Sequence, residues 1–180
     1  VLPAGADGAQ LQVASQSMVN IFCLILFGAC IAFAFALGCK PKDYWQLLTD
    51  PALVTNFSST YGNATFLMNV GIFGLFILAY FNIVGAEFNG IVFGSVFCML
   101  STCNSGSHPF NTIPIIWGYA IASKLFQFMA PITGGEFTQF LNSQSIAVGI
   151  CYANGLSPLV SQYGIGYGIV AAFLHFCMVT

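Results

Sequence analysis

Residues 18 to 38 form an unbroken run of 21 residues without one charged side chain, MVNIFCLILFGACIAFAFALG. An α-helix rises about 1.5 Å per residue, so this run can cross a hydrocarbon layer roughly 30 Å thick. Comparable apolar runs at about 64–85, 112–131 and 163–180 predict further spans. Since lipid offers the backbone no hydrogen bonds, spans of this length are expected to be helical. We therefore predict an all-α fold, a polytopic transmembrane helical bundle, as a single integral-membrane domain over residues 1–180.

Composition excludes several other classes of protein. Only 4% of the residues are charged and 58% are hydrophobic, whereas soluble domains carry roughly 25% charged residues. Three lysines and no arginine make no basic patch, which excludes a nucleic-acid partner. The seven cysteines show neither CxxC pairs nor metal-ligand spacing with histidine, so we expect no metal and no cofactor. The expected partner is the lipid bilayer.

Two apolar runs, at about 91–103 and 145–158, are too short to cross a bilayer as helices. Each leads into a polar break that contains Asn and Pro, CNSGSHPFNT (103–112) and YANGLSP (152–158), and each break is followed by a Gly-rich apolar run. This recurrence predicts broken or re-entrant helices. Between these segments, the loop 39–62 carries four charges and Trp45, which predicts an extramembrane loop with a short interfacial helix.

The two breaks are the candidate functional site. Paired short hydrophobic segments interrupted by Gly and Pro indicate the binding site of a transporter, because the ends of half-helices present unpaired N–H and C=O groups. We predict that the breaks meet inside the protein in one pocket. The residues expected to line it are Asn104, Ser105, His108, Asn111, Asn154 and Ser157. The alternative is that each break is a polar loop at a membrane face.

His108 directly precedes Pro109, which holds it away from the helical region. It could donate to a solute or titrate near neutral pH, and the alternative is a hydrogen-bonded loop histidine. Lys124 lies within an apolar run, near Ser123 and Gln127 on a helical wheel. We predict that Lys124 and Gln127 face a cavity or the protein interior; snorkelling of Lys124 to the headgroups is the alternative.

Two further expectations concern charge pairing and helix packing. Glu87 and Glu136 are the candidate counter-charges for the lysine at position 124. Gly28, Ala32 and Ala36 recur every four residues, a spacing that lets two membrane helices approach closely. We expect this face of the first span to meet another helix.

The motifs SHPFNTIPIIWG and NSQSIAVGICYANGLSP resemble those of a bacterial family of multi-pass membrane proteins known only as a domain of unknown function, number 1576. In that family a Gly-Lys-His-Pro-x-Asn sequence precedes an apolar helix, and an Asn-Gly-Leu-x-Pro segment follows later. The matching residues are Gly106, His108, Pro109, Asn111, Asn154, Gly155, Leu156 and Pro158, while Ser107 stands at the lysine position. The resemblance covers about residues 85–180. It implies a longer parent chain, of which this is a C-terminal portion, and it implies no activity.

The function that these observations favour is a transporter or channel for a small polar solute. A non-transporting structural or assembly subunit is the alternative, and an intramembrane hydrolase is a third hypothesis, which needs a nucleophile and a base from different spans. The sequence contains no HExxH, GxSxG or P-loop motif. We expect a multi-pass protein of the bacterial inner membrane. Besides lipid, the rest of the parent chain and a second copy in a homo-oligomer are the expected partners.

Overall fold

The structure, a computed structural model, describes residues 8–51, 56–135 and 138–180. Within these ranges there is no β-strand, and the all-α prediction is confirmed. Glu136, one of the two candidate counter-charges, lies outside the described residues. The helices are α1 (Gly8–Ala36), α2 (Pro41–Leu48), α3 (Phe57–Val84), α4 (Gly90–Ser101), α5 (Pro109–Thr133), α6 (Gln144–Ala153), α7 (Ser157–Tyr163) and α8 (Ile165–Val179).

Three of these helices are long and apolar enough to cross a membrane: α1 over Gln16–Ala36, α3 and α5. Helix α8 is apolar but has 15 residues, which extend about 22 Å. Helix α4 has 12 residues and continues into a short 3-10 turn, Thr102–Ser105. The span predicted at 163–180 therefore stays a prediction.

Helices α1 and α3 pack closely because α3 supplies glycine at the contact. A Cβ atom on Gly74 would lie 2.6 Å from the ring of Phe27, and one on Gly71 would lie 2.8 Å from the Phe27 carbonyl oxygen. Polar contacts flank this packing, with Asn20 Nδ2 donating to Asn82 Oδ1 over 2.9 Å near one end. The α1–α3 contact thus depends on small residues of α3 facing a large residue of α1.

The expectation that Gly28, Ala32 and Ala36 meet another helix is wrong among the described residues. A Cβ on Gly28 would meet nothing within 4 Å, and both alanines are exposed. The buried face of α1 instead carries Cys23 and Phe27. The small residues of α1 therefore do not form the helix contact. The contact forms where the ring of Phe27 packs against the glycines of α3.

The helices that follow α3 form two segments, α4–α5 and α6–α8, which run in the same direction. Asn89 Nδ2 donates to Gln144 Oε1 over 2.5 Å where α4 and α6 begin, and the breaks that follow these helices are also hydrogen-bonded to each other, so the two helices run parallel. Helices α5 and α8 also run parallel and approach closely. A Cβ on Gly118 would lie 2.5 Å from the carbonyl oxygen of Ile169. The segments α4–α5 and α6–α8 therefore lie side by side with their breaks at one end.

Apolar side chains of these segments form the core. One buried cluster joins α1, α3, α4 and α6, and a second joins α5, α6, α7 and α8. Helix α2, the short helix predicted within the loop 39–62, lies over the breaks: Leu47 and Leu48 are buried, and the rings of Trp45 and Phe110 meet edge to face with centroids 6.0 Å apart. The breaks are therefore covered by α2 at one end of the bundle.

Candidate functional site

The first break contains residues that end one helix and residues that start the next. Gly106, after the 3-10 turn, has a φ of +101°, a conformation that only glycine adopts readily. Pro109 then occupies the first position of α5, where its missing N–H breaks no helical bond. Asn111 Oδ1 accepts a hydrogen bond from the backbone N–H of His108 over 3.0 Å, which holds the start of α5.

The second break is centred on Asn154, which is fully buried. Its Oδ1 accepts hydrogen bonds from Thr112 Oγ1 over 2.7 Å and from Ser157 Oγ over 2.9 Å. Its Nδ2 donates to Thr102 Oγ1 over 2.7 Å. Thr112 is the last residue of the first break and Thr102 directly precedes that break, so one side chain joins both breaks. The two breaks are thus in contact, as predicted, while a single pocket inside the membrane stays a prediction.

A cleft of about 170 Å³ lies beside this junction. The end of α2 and the residues after it form one wall, and the first turns of α5 and α7 form the others. The lining residues are Leu48, Thr49, Asp50, His108, Phe110, Asn111, Val160 and Ser161.

His108 is the unusual member of this lining. Its side chain is 2% exposed, and neither ring nitrogen has a hydrogen-bond partner among the residues that the structure describes. Burial lowers the pKa of His108 to about 4, although the nearby Asp50 carboxylate acts in the opposite direction. The imidazole is therefore neutral at pH 7. The expectation that it titrates near neutral pH is wrong, because burial disfavours the charged form.

The other polar side chains of the cleft have protein partners. Asn111 Nδ2 donates to the Gly106 carbonyl oxygen over 2.8 Å and to Ser161 Oγ over 3.0 Å. The Tyr61 hydroxyl donates to the Asp50 carboxylate. A carboxylate has about four acceptor positions, so it can accept from several donors at once. The cleft thus combines a carboxylate with a neutral imidazole.

Of the residues predicted to line one pocket, His108 and Asn111 line this cleft. Asn154 and Ser157 are fully buried in the junction beside it. Asn104 Oδ1 accepts a hydrogen bond from the backbone N–H of Ser58 over 3.0 Å, which ties the first break to the start of α3. Ser105 is exposed on the 3-10 turn and does not line the cleft.

The expectation that Lys124 faces the interior is wrong for the described part of the chain, because this residue is exposed. Ser123 is buried one position earlier, and its Oγ donates to the carbonyl oxygen of Gln139 over 2.7 Å. Gln127 Nε2 donates to Ser123 Oγ over 2.9 Å. Successive helical residues point about 100° apart, so the step from Ser123 to Lys124 leaves the buried face of α5.

Comparison with protein families places this geometry in context. The family described as "Protein of unknown function (DUF1576)" matches residues 40–180. The chain belongs to this family. The match contains α2, both breaks and every residue that lines the cleft. No curated protein and no solved structure matches the chain.

Three polar residues of the cleft in this DUF1576 member, Thr49, Asp50 and Ser161, were missed by sequence reasoning. A signal for Ser161 exists: it stands three residues after Pro158, as Thr112 stands three residues after Pro109. Both positions follow the proline that begins a helix, in the first turns of α5 and α7. Asp50 gave no comparable signal, since its place in the cleft depends on how α2 folds back over the breaks.

Proposed function

We propose that this membrane protein binds a small polar solute in the cleft beside the two helix breaks and passes it across the bilayer as a transporter or channel. The observation that carries the proposal is the side chain of His108. A buried polar group without a hydrogen bond destabilises a fold by about 1–3 kcal/mol, and such groups are rare. A ligand in the cleft would supply the missing partner.

The surrounding fold supports this proposal. Two parallel segments, α4–α5 and α6–α8, meet at their breaks, and helix breaks at the interface of repeated segments form the solute sites of many transporters. Beside the cleft, Asn154 and the three hydroxyl groups bonded to it close the junction between the segments. Passage requires these hydrogen bonds to exchange, and hydroxyl groups can rotate to new partners. The proposed setting is the bacterial inner membrane, with the rest of the parent chain and a second copy as proposed partners.

Flux measurements on the full-length protein in liposomes test this function. We expect a panel of small neutral and charged polar solutes to include at least one that crosses faster than in protein-free liposomes. His108→Leu is expected to lower that flux at least tenfold. Ser105→Ala, which changes an exposed side chain in the same helix break, is expected to leave the flux unchanged. If no solute crosses faster than in protein-free liposomes, the structural or assembly subunit becomes the better hypothesis.

A second candidate function follows from three residues that line the same cleft. Asp50, His108 and Ser161 are the residue types of a serine hydrolase. Within the described ranges, however, His108 bonds to neither of the others, and Ser161 Oγ accepts from Asn111. Activation of a serine needs a hydrogen bond to its base, so the geometry favours binding over hydrolysis.

Labelling with a fluorophosphonate probe separates the two functions. A hydrolase predicts covalent labelling that Ser161→Ala and His108→Leu both abolish. The transport proposal predicts no labelling above that of the Ser161→Ala protein.

A further inference from the structure

From the chemistry of the cleft we infer that its solute is a small ammonium-type cation, either ammonium itself or a short protonated amine. This inference rests on the proposed function and names its substrate class. Three features of the cleft carry it: its charge, its hydrogen-bonding groups and its apolar walls.

The charge of the cleft favours a cation. Among the described residues that line it, Asp50 is the only charged side chain. The first turns of α5 and of the two-turn helix α7 also point to this region, and the positive end of a helix carries at most about half an elementary charge. Together these partial charges at most balance the carboxylate, so they do not make the cleft positive. An anion would have to approach the Asp50 carboxylate in a partly desolvated site.

The hydrogen-bonding groups favour a solute that donates N–H bonds. A neutral imidazole has one acceptor nitrogen, and the Asp50 carboxylate accepts from several donors, whereas an ammonium group only donates. Asn111 Oδ1 is already bonded to the backbone N–H of His108, so the Asp50 carboxylate and the His108 imidazole are the acceptors that we assign to the solute. Over the described ranges, no group of three or more His, Cys, Asp or Glu side chains could hold a metal ion.

The walls favour a small organic group over a large or fully hydrated one. Leu48 and Val160 are apolar, and the ring of Phe110 lines the cleft beside them. A volume of about 170 Å³ suits ammonium with one or a few methyl groups. Methylammonium is therefore the natural probe.

Equilibrium binding of labelled methylammonium to the full-length protein in lipid nanodiscs tests the inference. We expect saturable binding that ammonium displaces, while tetramethylammonium, which has no N–H donor, does not displace it. Urea and acetate, a neutral and an anionic solute of similar size, are also expected not to compete. Ser105→Ala serves as the matched control and is expected to bind as the unchanged protein does.

Substitutions at Asp50 test the role of charge. Asp50→Asn keeps an oxygen that accepts from Tyr61, so we expect the protein to fold while its affinity for methylammonium falls at least tenfold. Asp50→Glu keeps the charge and is expected to retain most of the affinity. Thermal midpoints of both variants establish that they are folded.

The outcomes distinguish this inference from the proposed function. Methylammonium that binds but does not cross liposomes would support the substrate class and contradict transport. Flux of another solute without methylammonium binding would contradict the substrate class and support transport. Competition by acetate or urea, or unchanged affinity in Asp50→Asn, would overturn the cation inference.

Discussion

The two helix breaks resemble each other in sequence but differ in how their polar groups are bonded. In the second break, the amide of Asn154 is buried and bonded to three hydroxyl groups. In the first break, the imidazole of His108 is equally buried and has no partner among the described residues. Thr112 connects the two residues, since its one hydroxyl proton is shared between Asn154 Oδ1 and the backbone carbonyl oxygen of His108.

This difference indicates a division of roles between the breaks. A buried polar group with all its hydrogen bonds made stabilises a unique packing, and a buried group without them destabilises it. We interpret Asn154 as the residue that holds the two segments together. We then expect a solute to supply the hydrogen-bond partner that His108 lacks among the described residues. Substitution of each residue by leucine makes the comparison measurable.

The largest effect is expected from Asn154→Leu. Leucine neither donates nor accepts, so the hydroxyl groups of Thr102, Thr112 and Ser157 lose a partner in a buried site. A buried polar group without any hydrogen bond destabilises a fold by about 1–3 kcal/mol. The cost for each of these hydroxyls is smaller, because all three retain a backbone acceptor. We expect the free energy of unfolding to fall by about 2–4 kcal/mol. Thermal midpoints of detergent-solubilised protein measure this, with Ser105→Ala as the control; an unchanged midpoint would contradict the role of Asn154.

The next effect is a pH dependence that originates at the first break. The pKa of His108 is about 4 in the folded protein, and an unperturbed histidine titrates near 6.5. Between these values the unfolded chain binds more protons, so stability falls as the pH decreases from about 6.5 to about 4. The loss at the lower end is up to about 3 kcal/mol. The groups that act on this histidine are the Asp50 carboxylate and, through its hydrogen bond, Tyr61.

His108→Leu isolates that contribution. Carboxylates elsewhere also affect stability in acid, so the relevant quantity is the difference between the two proteins across the pH range. We expect this difference to grow from pH 6.5 to pH 4 in favour of the variant. A constant difference would show that His108 has the same pKa in the folded and the unfolded protein.

The smallest effect on stability is expected from His108→Leu at neutral pH. The backbone N–H and carbonyl of residue 108 keep their bonds to Asn111 and Thr112, and the substitution removes an unpartnered buried group. We expect the free energy of unfolding to stay within about 1 kcal/mol or to rise. Solute binding is expected to be lost. A strongly destabilised variant would show that His108, like Asn154, stabilises the packing.

The sequence predicts those parts of the fold that depend on residues close together in the chain. Long uncharged runs predict helices such as α1 and α3, because span length depends only on neighbouring residues. The recurrence of Asn and Pro in two short segments also predicted that the breaks meet. Helix α3 begins before the predicted residue 64, at Phe57, where Asn56 caps it and Gly62 allows a kink.

The parts that could not be predicted depend on contacts between distant residues. Asp50 reaches the cleft because α2 folds over α5, an arrangement that no local pattern encodes. The prediction that Lys124 faces the interior was wrong because its side chain is rotated about 100° around the helix axis from that of the buried Ser123. The different roles of Asn154 and His108 also could not be predicted, since each is a polar residue shortly before a proline and they differ in their hydrogen-bond partners.

We propose that His108 is a neutral imidazole, without a partner among the described residues, that binds the solute. Nitrogen NMR of the full-length protein, labelled with ¹⁵N-histidine in nanodiscs, tests this most directly, and the His108→Leu protein identifies the signal. The account predicts a neutral imidazole that stays unprotonated to about pH 4 and whose nitrogen shifts change when methylammonium is added. A His108 signal that titrates near pH 6.5 and does not respond to methylammonium would contradict the claim.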